Sequence, residues 1–326
     1  MENAWKTLPG NYNIMLKIVF MGTPSFAVPI LEGLIENYQV ELVVCQPDRK
    51  KNRKGELLFP ETKNLALKNN IEVFQPEKVR NDYQKILDKN PDIIITCAYG
   101  QIIPSEILNY PKYGCINIHG SLLPELRGGA PIHWAIIKGY KETGITIMKM
   151  NEKMDAGDII TQEKLSIGED EILESLYQRM SILGKELLLK TLPKILNGSV
   201  TYQKQDESKV TFGYNITKEQ EKIDFSKSKE EIKNLVRGLN PIPGAYCILD
   251  GKRMKIYNLS TMNTKQDLTK YKNGEIIEIE KDGIICKCSN GTIKITDISI
   301  EGKKRCKASE YINGINKKNL IGKVIE

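Results

Sequence analysis

The sequence predicts an α/β protein: a doubly wound, mostly parallel sheet in an N-terminal domain, followed by a small OB-like β-barrel. Three observations carry this. Apolar strand-like runs alternate with helical patterns through the first half of the chain. A polar stretch, VTYQKQDESKV (200–210), then interrupts the pattern. Beyond it, three tight-turn dipeptides lie between β-rich runs.

In order, LKIVFM (16–21) reads as a buried strand and GTPSFAVPILEGLIE (22–36) as a helix that Ser25 could cap. VELVVCQ (40–46) is the next strand, ETKNLALKNN (61–70) a helix, and IEVFQP (71–76) a short extended run. YQKILDKN (83–90) is helical, and DIIITCAYG (92–100) is the clearest buried strand. IPSEILN (103–109) is a short helix, CINIHG (115–120) a strand and ITIMKM (145–150) another. Near-continuous apolar strands separated by helices argue for a parallel sheet covered on both faces. Ligands of such sheets sit outside the carboxyl ends of the strands, where CAYG and NIHG both end. Residues 169–198 form a long helix with Leu173, Leu176, Met180, Leu183, Leu187 and Leu188 on its buried side.

Residues 225–246, FSKSKEEIKNLVRGLNPIPGAY, open with a helix capped by Ser226 or Ser228. Asp250-Gly251, Asp282-Gly283 and Asn290-Gly291 then mark hairpins. Closure of about five antiparallel strands gives the OB-like barrel. The expected domains are a loose extension at 1–14, a catalytic domain at 15–199, a linker at 200–210 and a basic barrel at 211–326.

Composition limits the function. At 326 residues, 40% apolar and 27% charged, the chain describes a soluble globular protein. It holds no apolar run of the roughly 20 residues that span a bilayer, so no membrane partner is expected. Residues 1–14 lack the features of a secretory signal. Seven cysteines, an odd number set largely in apolar runs, favour reduced thiols and a cytoplasmic location. Cys286 and Cys288 have the wrong spacing for a zinc site, and no metal is expected. GTPSFA, with one glycine and no lysine, is not a phosphate loop. The net charge of +7 is concentrated: from Gly251 onward there are 16 Lys plus Arg against 9 Asp plus Glu. That excess, which includes Lys303, Lys304, Arg305 and Lys307, turns the barrel toward an acidic partner such as nucleic acid.

The chemistry centres on CINIHGSLLPELRGGAP (115–131), which holds one of only two histidines. Asn117 and His119 stand two apart, so a strand places both on one face at its end. An amide donor beside an imidazole suits acyl transfer, in which a carbonyl oxygen gains charge. Downstream, Asp155 in the turn Met-Asp-Ala-Gly adds a carboxylate.

With these residues the chain resembles the methionyl-tRNA formyltransferase family, from about Leu16 to the C-terminus. The matching segments are KIVFMGTPSFAVP, CQPDR, VFQPEKVR, AYGQIIP, GCINIHGSLLPELRGGAPI, ETGITIMKM, MDAGDII, IDFSKS and GLNPIPGAY. Asn-x-His-x-Ser-Leu-Leu-Pro with a later Asp-x-Gly marks the wider group of formyltetrahydrofolate enzymes. The resemblance implies transfer of a formyl group from 10-formyltetrahydrofolate to the amino group of methionyl initiator tRNA. It assigns catalysis to Asn117, His119 and Asp155, without a metal. It assigns folate binding to Ser121, Leu122, Leu123 and Pro124, joined by Tyr99 and Gly100. It assigns tRNA contact to Arg49, Lys50, Lys51, Arg53 and Lys54 in the loop after the second strand, and to Lys303, Lys304 and Arg305. The loop departs from the family pattern: Lys50 replaces a proline, Asn52 a glycine and Glu56 a basic residue. His133 stands where the family more often has glutamine and is read as a packing or hydrogen-bonding residue without a catalytic role. A monomer is expected. The same triad would also serve an amino-sugar N-formyltransferase or a formyltetrahydrofolate hydrolase. A non-catalytic RNA-binding protein would have no use for it.

Overall fold

The structure, a computed structural model, describes residues 16–50, 57–264, 267–314 and 316–326. It divides into two compact units. One comprises the chain through His119, Ile145–Glu163 and Ser181–Gln205; the other comprises Gly120–Gly144, Lys164–Met180 and Asp206–Glu326.

The strands of the first half are β1 (Lys17–Gly22), β2 (Gln39–Val44), β3 (Arg49–Lys50), β4 (Leu57–Leu58), β5 (Val73–Phe74), β6 (Ile93–Cys97), β7 (Cys115–His119), β8 (Glu142–Lys149) and β9 (Ile159–Ser166). Seven of them form a sheet in the order β5-β2-β1-β6-β7-β8-β9. Pairing is parallel from β5 to β7 and antiparallel between β7 and β8. β2 lies on one side of β1 and β6 on the other, so the strand order reverses at β1/β6. That reversal opens a crevice beyond their carboxyl ends, Gly22 and Cys97.

The doubly wound expectation holds because β1, β6 and β7 are largely buried on both faces. Val19, Met21, Ile94, Tyr99, Ile103, Ile107 and Cys115 share one buried cluster. Ile18, Phe20, Ile93 and Ile95 are also fully buried. Each such side chain contributes about 1.5–3 kcal/mol by leaving water.

The helices are α1 (Val28–Asn37), α2 (Glu61–Lys68), α3 (Gln84–Leu87), α4 (Ser105–Leu108), α5 (Pro131–Ile137), α6 (Leu173–Leu196), α7 (Lys229–Gly238) and α8 (Ala308–Asn313). Ser25 does not cap α1. It lies in a short 3₁₀ turn, Ser25–Ala27, and the α1 N-terminus has no side-chain cap. Pro29 in the first turn brings no N–H to satisfy, which lowers the need for one. α6 runs close against β7 and α1: a Cβ on Gly184 would touch Ile118 and Ile30.

In the second unit, α7 starts at Ser228 with a full capping box to Glu231, while Ser226 bonds back to Asp224. Six antiparallel strands follow: β10 (Tyr246–Leu249), β11 (Lys252–Met262), β12 (Ile276–Ile279), β13 (Ile284–Cys288), β14 (Gly291–Ile300) and β15 (Cys306–Lys307). All three predicted turns connect them as hairpins. Bulges around Asn258 bend β11 against β14, and the expected small barrel is a curled half-barrel sheet. Its core gathers Val236, Leu239, Met254, Ile256, Ile293, Ile295 and Ile312. Cys286 is also buried there, and all seven cysteines are free thiols. Burial pushes the Cys45 thiol up to about 11 and Cys115 to about 12, so neither is a nucleophile at neutral pH. No helix among the described residues is long and apolar enough to cross a membrane.

Candidate active site

β7 carries Asn117 and His119 on one face at its carboxyl end, as the two-residue spacing requires. His119 is almost fully buried, and its Nδ1 lies 3.6 Å from Asp155 Oδ1. Both side chains of the pair are largely shielded from water, 7% and 15% exposed. The structure therefore brings all three predicted catalytic residues into one unit, with Asp155 beside His119.

Asp155 reaches that position through an unusual turn between β8 and β9. Its φ is +50°, a left-handed conformation that Asp tolerates better than most residues. Two residues on, Gly157 passes so close to the preceding strand that a Cβ would sit 1.8 Å from the Lys149 carbonyl oxygen. Gln205 Nε2 donates to the carbonyls of both Asp155 and Gly157 at 2.8 Å, pinning the turn from outside. Gln205 escaped the sequence reading because it lies 50 residues away in a polar stretch.

Asn117 is held by a residue the sequence reading also missed. Thr96 on β6 is its register partner, and Thr96 Oγ1 donates to Asn117 Oδ1 at 2.9 Å. Thr96 looked like an ordinary position in an apolar strand. Only the β6/β7 register could have exposed its role.

The loops beyond β1, β2 and β6 are tied together at the crevice. Gln46 Nε2 donates to the Tyr99 carbonyl at 2.9 Å, and the Thr23 hydroxyl donates to the same oxygen at 3.3 Å. Gln75 and Lys63 clasp Asp48 at 2.8 and 2.6 Å. Burial works against the Asp48 charge, but those bonds hold its carboxyl below the usual range. The tied loops fix Tyr99, which is buried, and Gly100, at φ +86°. Beside them Ile102 is 83% exposed, an uncovered apolar surface.

The segment after His119 belongs to the second unit. Ser121 is buried, and its hydroxyl donates to the Glu125 carbonyl at 2.6 Å, closing the turn that contains Leu122, Leu123 and Pro124. Leu123 is buried, and the Leu123–Pro124 peptide is cis. Farther on, Arg127 is buried and forks onto Glu207, with its closest contact at 2.8 Å. Backbone bonds from Arg127 to Thr211 and from Gly213 to Arg127 lash this loop to the later chain.

Of the basic residues, Arg49 is exposed on β3, and Lys50 lies beside it on that strand. Lys51, Arg53 and Lys54 lie outside the described residues. The strand after them exposes Leu57 and Leu58. Lys303 and Lys304 are exposed. Arg305 is engaged within the fold: it pairs with buried Asp297 through two bonds of 2.9 Å and lies over the Tyr257 ring. Among the described residues no group of three or more His, Cys, Asp or Glu could hold a metal ion.

Among the described residues no carboxylate acts on His133, on α5, and burial alone shifts it. Burial pushes its imidazole down to about 4 from the ordinary 6.5. The ring stays neutral in the folded protein, while the unfolded chain takes up a proton as pH falls below about 6.5. Stability is therefore lost as pH falls from 6.5 toward 4, by about 2 kcal/mol at pH 5. His133→Gln is expected to shrink the drop in unfolding midpoint between pH 7 and pH 5. An unchanged drop would show that His133 already carries its proton in the native state.

Comparison with known proteins matches this architecture. The family model described as formyl transferase matches residues 16–192, and that of the formyl transferase C-terminal domain matches 215–316. A methionyl-tRNA formyltransferase from Bacillus licheniformis is 50% identical over 304 residues, covering 92% of this chain and 95% of its own. One from Bacillus subtilis is 48% identical over 304 residues, with the same coverage of both chains. Among solved structures, an N-formyltransferase from Helicobacter canadensis, in complex with folinic acid and dTDP-3-aminofucose, superposes with a TM-score of 0.65. It is 21% identical, over 86% of this chain and 99% of its own. HypX from Aquifex aeolicus, in complex with tetrahydrofolic acid, superposes with a TM-score of 0.60 at 18% identity, over 91% of this chain and 47% of its own. At such identities these two likenesses speak for the fold.

Proposed function

The chain belongs to the methionyl-tRNA formyltransferase family, and from that premise we propose that Asn117, His119 and Asp155 transfer a formyl group from 10-formyltetrahydrofolate to methionyl initiator tRNA. The activity itself, formylation of the methionine amino group, follows from relatives about half identical along nearly the whole chain. The observation that carries the residue assignment is His119, nearly buried, with Asp155 beside it and Asn117 on the same strand face.

The donor supplies a formyl carbon on an anilinic nitrogen, an activated amide. The methionine nitrogen forms a bond to that carbon, the old carbon–nitrogen bond breaks, the amine loses a proton and the folate nitrogen gains one. While the carbon is tetrahedral, its oxygen bears negative charge. Asn117 Nδ2 donates to that oxygen and a charged His119 stabilises it electrostatically. Asp155 supports the positive charge on His119 and assists proton removal from the amine through water.

Ser121, Leu122, Leu123 and Pro124 are assigned to folate binding, as are Tyr99 and Gly100. For the first segment the support is the Ser121-closed turn, and for the second the exposed apolar Ile102 beside Tyr99 and Gly100, a surface that a flat ring covers at little entropic cost. Residues 15–199 act as the catalytic domain, 200–210 as the linker and 211–326 as the basic tRNA-binding domain, in line with the two family-model spans. Arg49, Lys50, Lys51, Arg53, Lys54, Lys303 and Lys304 contact tRNA phosphates, and Arg305 contributes charge from its pair with Asp297. The protein acts as a cytoplasmic monomer and needs no metal.

The test is incubation of the purified protein with 10-formyltetrahydrofolate and methionine-charged initiator tRNA, followed by measurement of formylmethionine after ester hydrolysis. Rapid turnover is expected. Three phosphate contacts would lower tRNA affinity by roughly 40-fold for a fourfold rise in salt. A flat salt response, with turnover on amino sugars instead, would move the assignment to the sugar N-formyltransferases.

A further inference from the structure

The reactive amide of Asn117 has to present nitrogen, not oxygen, to a developing oxyanion. A carboxamide looks nearly the same from both ends, so something must choose. On one side Asn117 pairs in register with Met148, which is apolar and buried. On the other it pairs with Thr96, which is 2% exposed. Register partners on adjacent parallel strands point to the same face. The Thr96 hydroxyl is therefore the one polar side chain among these two neighbours.

That hydroxyl has a single proton and three acceptors in range. Asn117 Oδ1 is nearest at 2.9 Å; Met150 Sδ is at 3.2 Å and the Ile116 carbonyl at 3.3 Å. A thioether is a weak acceptor, and the Ile116 contact is long for a hydroxyl bond. Donation to Asn117 turns the amide oxygen inward and its NH₂ outward. No hydrogen bond from Asn117 Nδ2 to another described residue competes with that role.

We infer that Thr96 is a positioning residue, whose hydroxyl fixes the Asn117 amide with its NH₂ toward the reacting oxygen. This rests on the reading of Asn117 as the oxyanion donor. Without the hydroxyl, the amide would rotate, and most of the population would present oxygen to the anion or adopt an off-line geometry. The cost would fall on the transition state rather than on substrate binding.

Thr96→Val keeps the shape and removes the donor; Thr96→Ser restores it. With wild-type turnover as the control, Thr96→Val is expected to lower kcat by about 10-fold, a fraction of the loss for a deleted oxyanion donor. The KM values for tRNA and folate should stay within about twofold, and Thr96→Ser should recover most of kcat. In an Asn117→Ala background, Thr96→Val should cost nothing more, because the group it positions is gone. Equal losses in Thr96→Val and Thr96→Ser, a loss carried by KM, or an undiminished loss in the Asn117→Ala background would each overturn the inference. A near-normal Asn117→Ala enzyme would instead overturn the parent reading. The double variant thus separates the two failures.

Discussion

Asn117→Ala and His119→Ala are each expected to lower turnover by roughly 100- to 1000-fold while the protein stays folded, because each removes one stabiliser of the tetrahedral oxyanion. Neither change should disturb the fold strongly. Asn117 is only partly buried, and its inward bond is to a single hydroxyl. His119 lies at the end of β7, where the strand leaves the sheet for a loop. Single-turnover measurement with saturating tRNA reads the chemical step directly, and circular dichroism checks folding. Turnover within about threefold of wild type in either variant would sink the assignment of the centre. The pair should also be less than additive, since both groups act on one oxygen. A double variant no slower than the worse single one would fit two donors acting as a unit.

The second large effect concerns backbone rather than side-chain chemistry. Gly157→Ala would place a methyl group 1.8 Å from the Lys149 carbonyl oxygen, less than any real contact permits. The turn or the end of β8 must move. Overpacking of this kind costs about 3 kcal/mol, and displacement of the turn shifts Asp155 away from His119. Misplacement of a catalytic group by about 1 Å is worth roughly 100-fold in rate. Gly157→Ala is thus expected to lose both stability and turnover, and the Gly314→Ala control, at φ −86° with its nearest neighbour at 3.6 Å, to keep both. The paired unfolding and activity curves decide it. Full activity with lowered stability would mean that the turn relaxes without carrying Asp155 along.

Much of this was legible from the sequence because the signals are local. β6 and β7 were readable as apolar runs ending at CAYG and NIHG. The three Asp-Gly and Asn-Gly dipeptides announced their hairpins, although only Asp250-Gly251 takes positive φ at both residues, +52° and +73°. The Asn117 and His119 pair needed only the two-residue strand period. Start and stop details were less secure. Ser25 looked like a helix cap, but a 3₁₀ turn intervenes, and the hydrogen bond that would make it a cap is absent.

What the sequence by itself determined, then, was the α/β-plus-β division, the strand that bears the reactive pair, and the family whose motifs it carries. Only the tertiary structure decided that Thr96 meets Asn117, that Asp155 comes within 3.6 Å of His119, and that Gln205 clasps the intervening turn. It also decided that Arg305 spends its guanidinium on Asp297. Strand period and turn chemistry are set by neighbours in the chain, so they can be read along it. Hydrogen bonds between groups 21 to 50 residues apart depend on register and on how loops return to the sheet. Those are properties of the packed chain, because it is the burial of both strand faces that fixes which residues stand opposite one another.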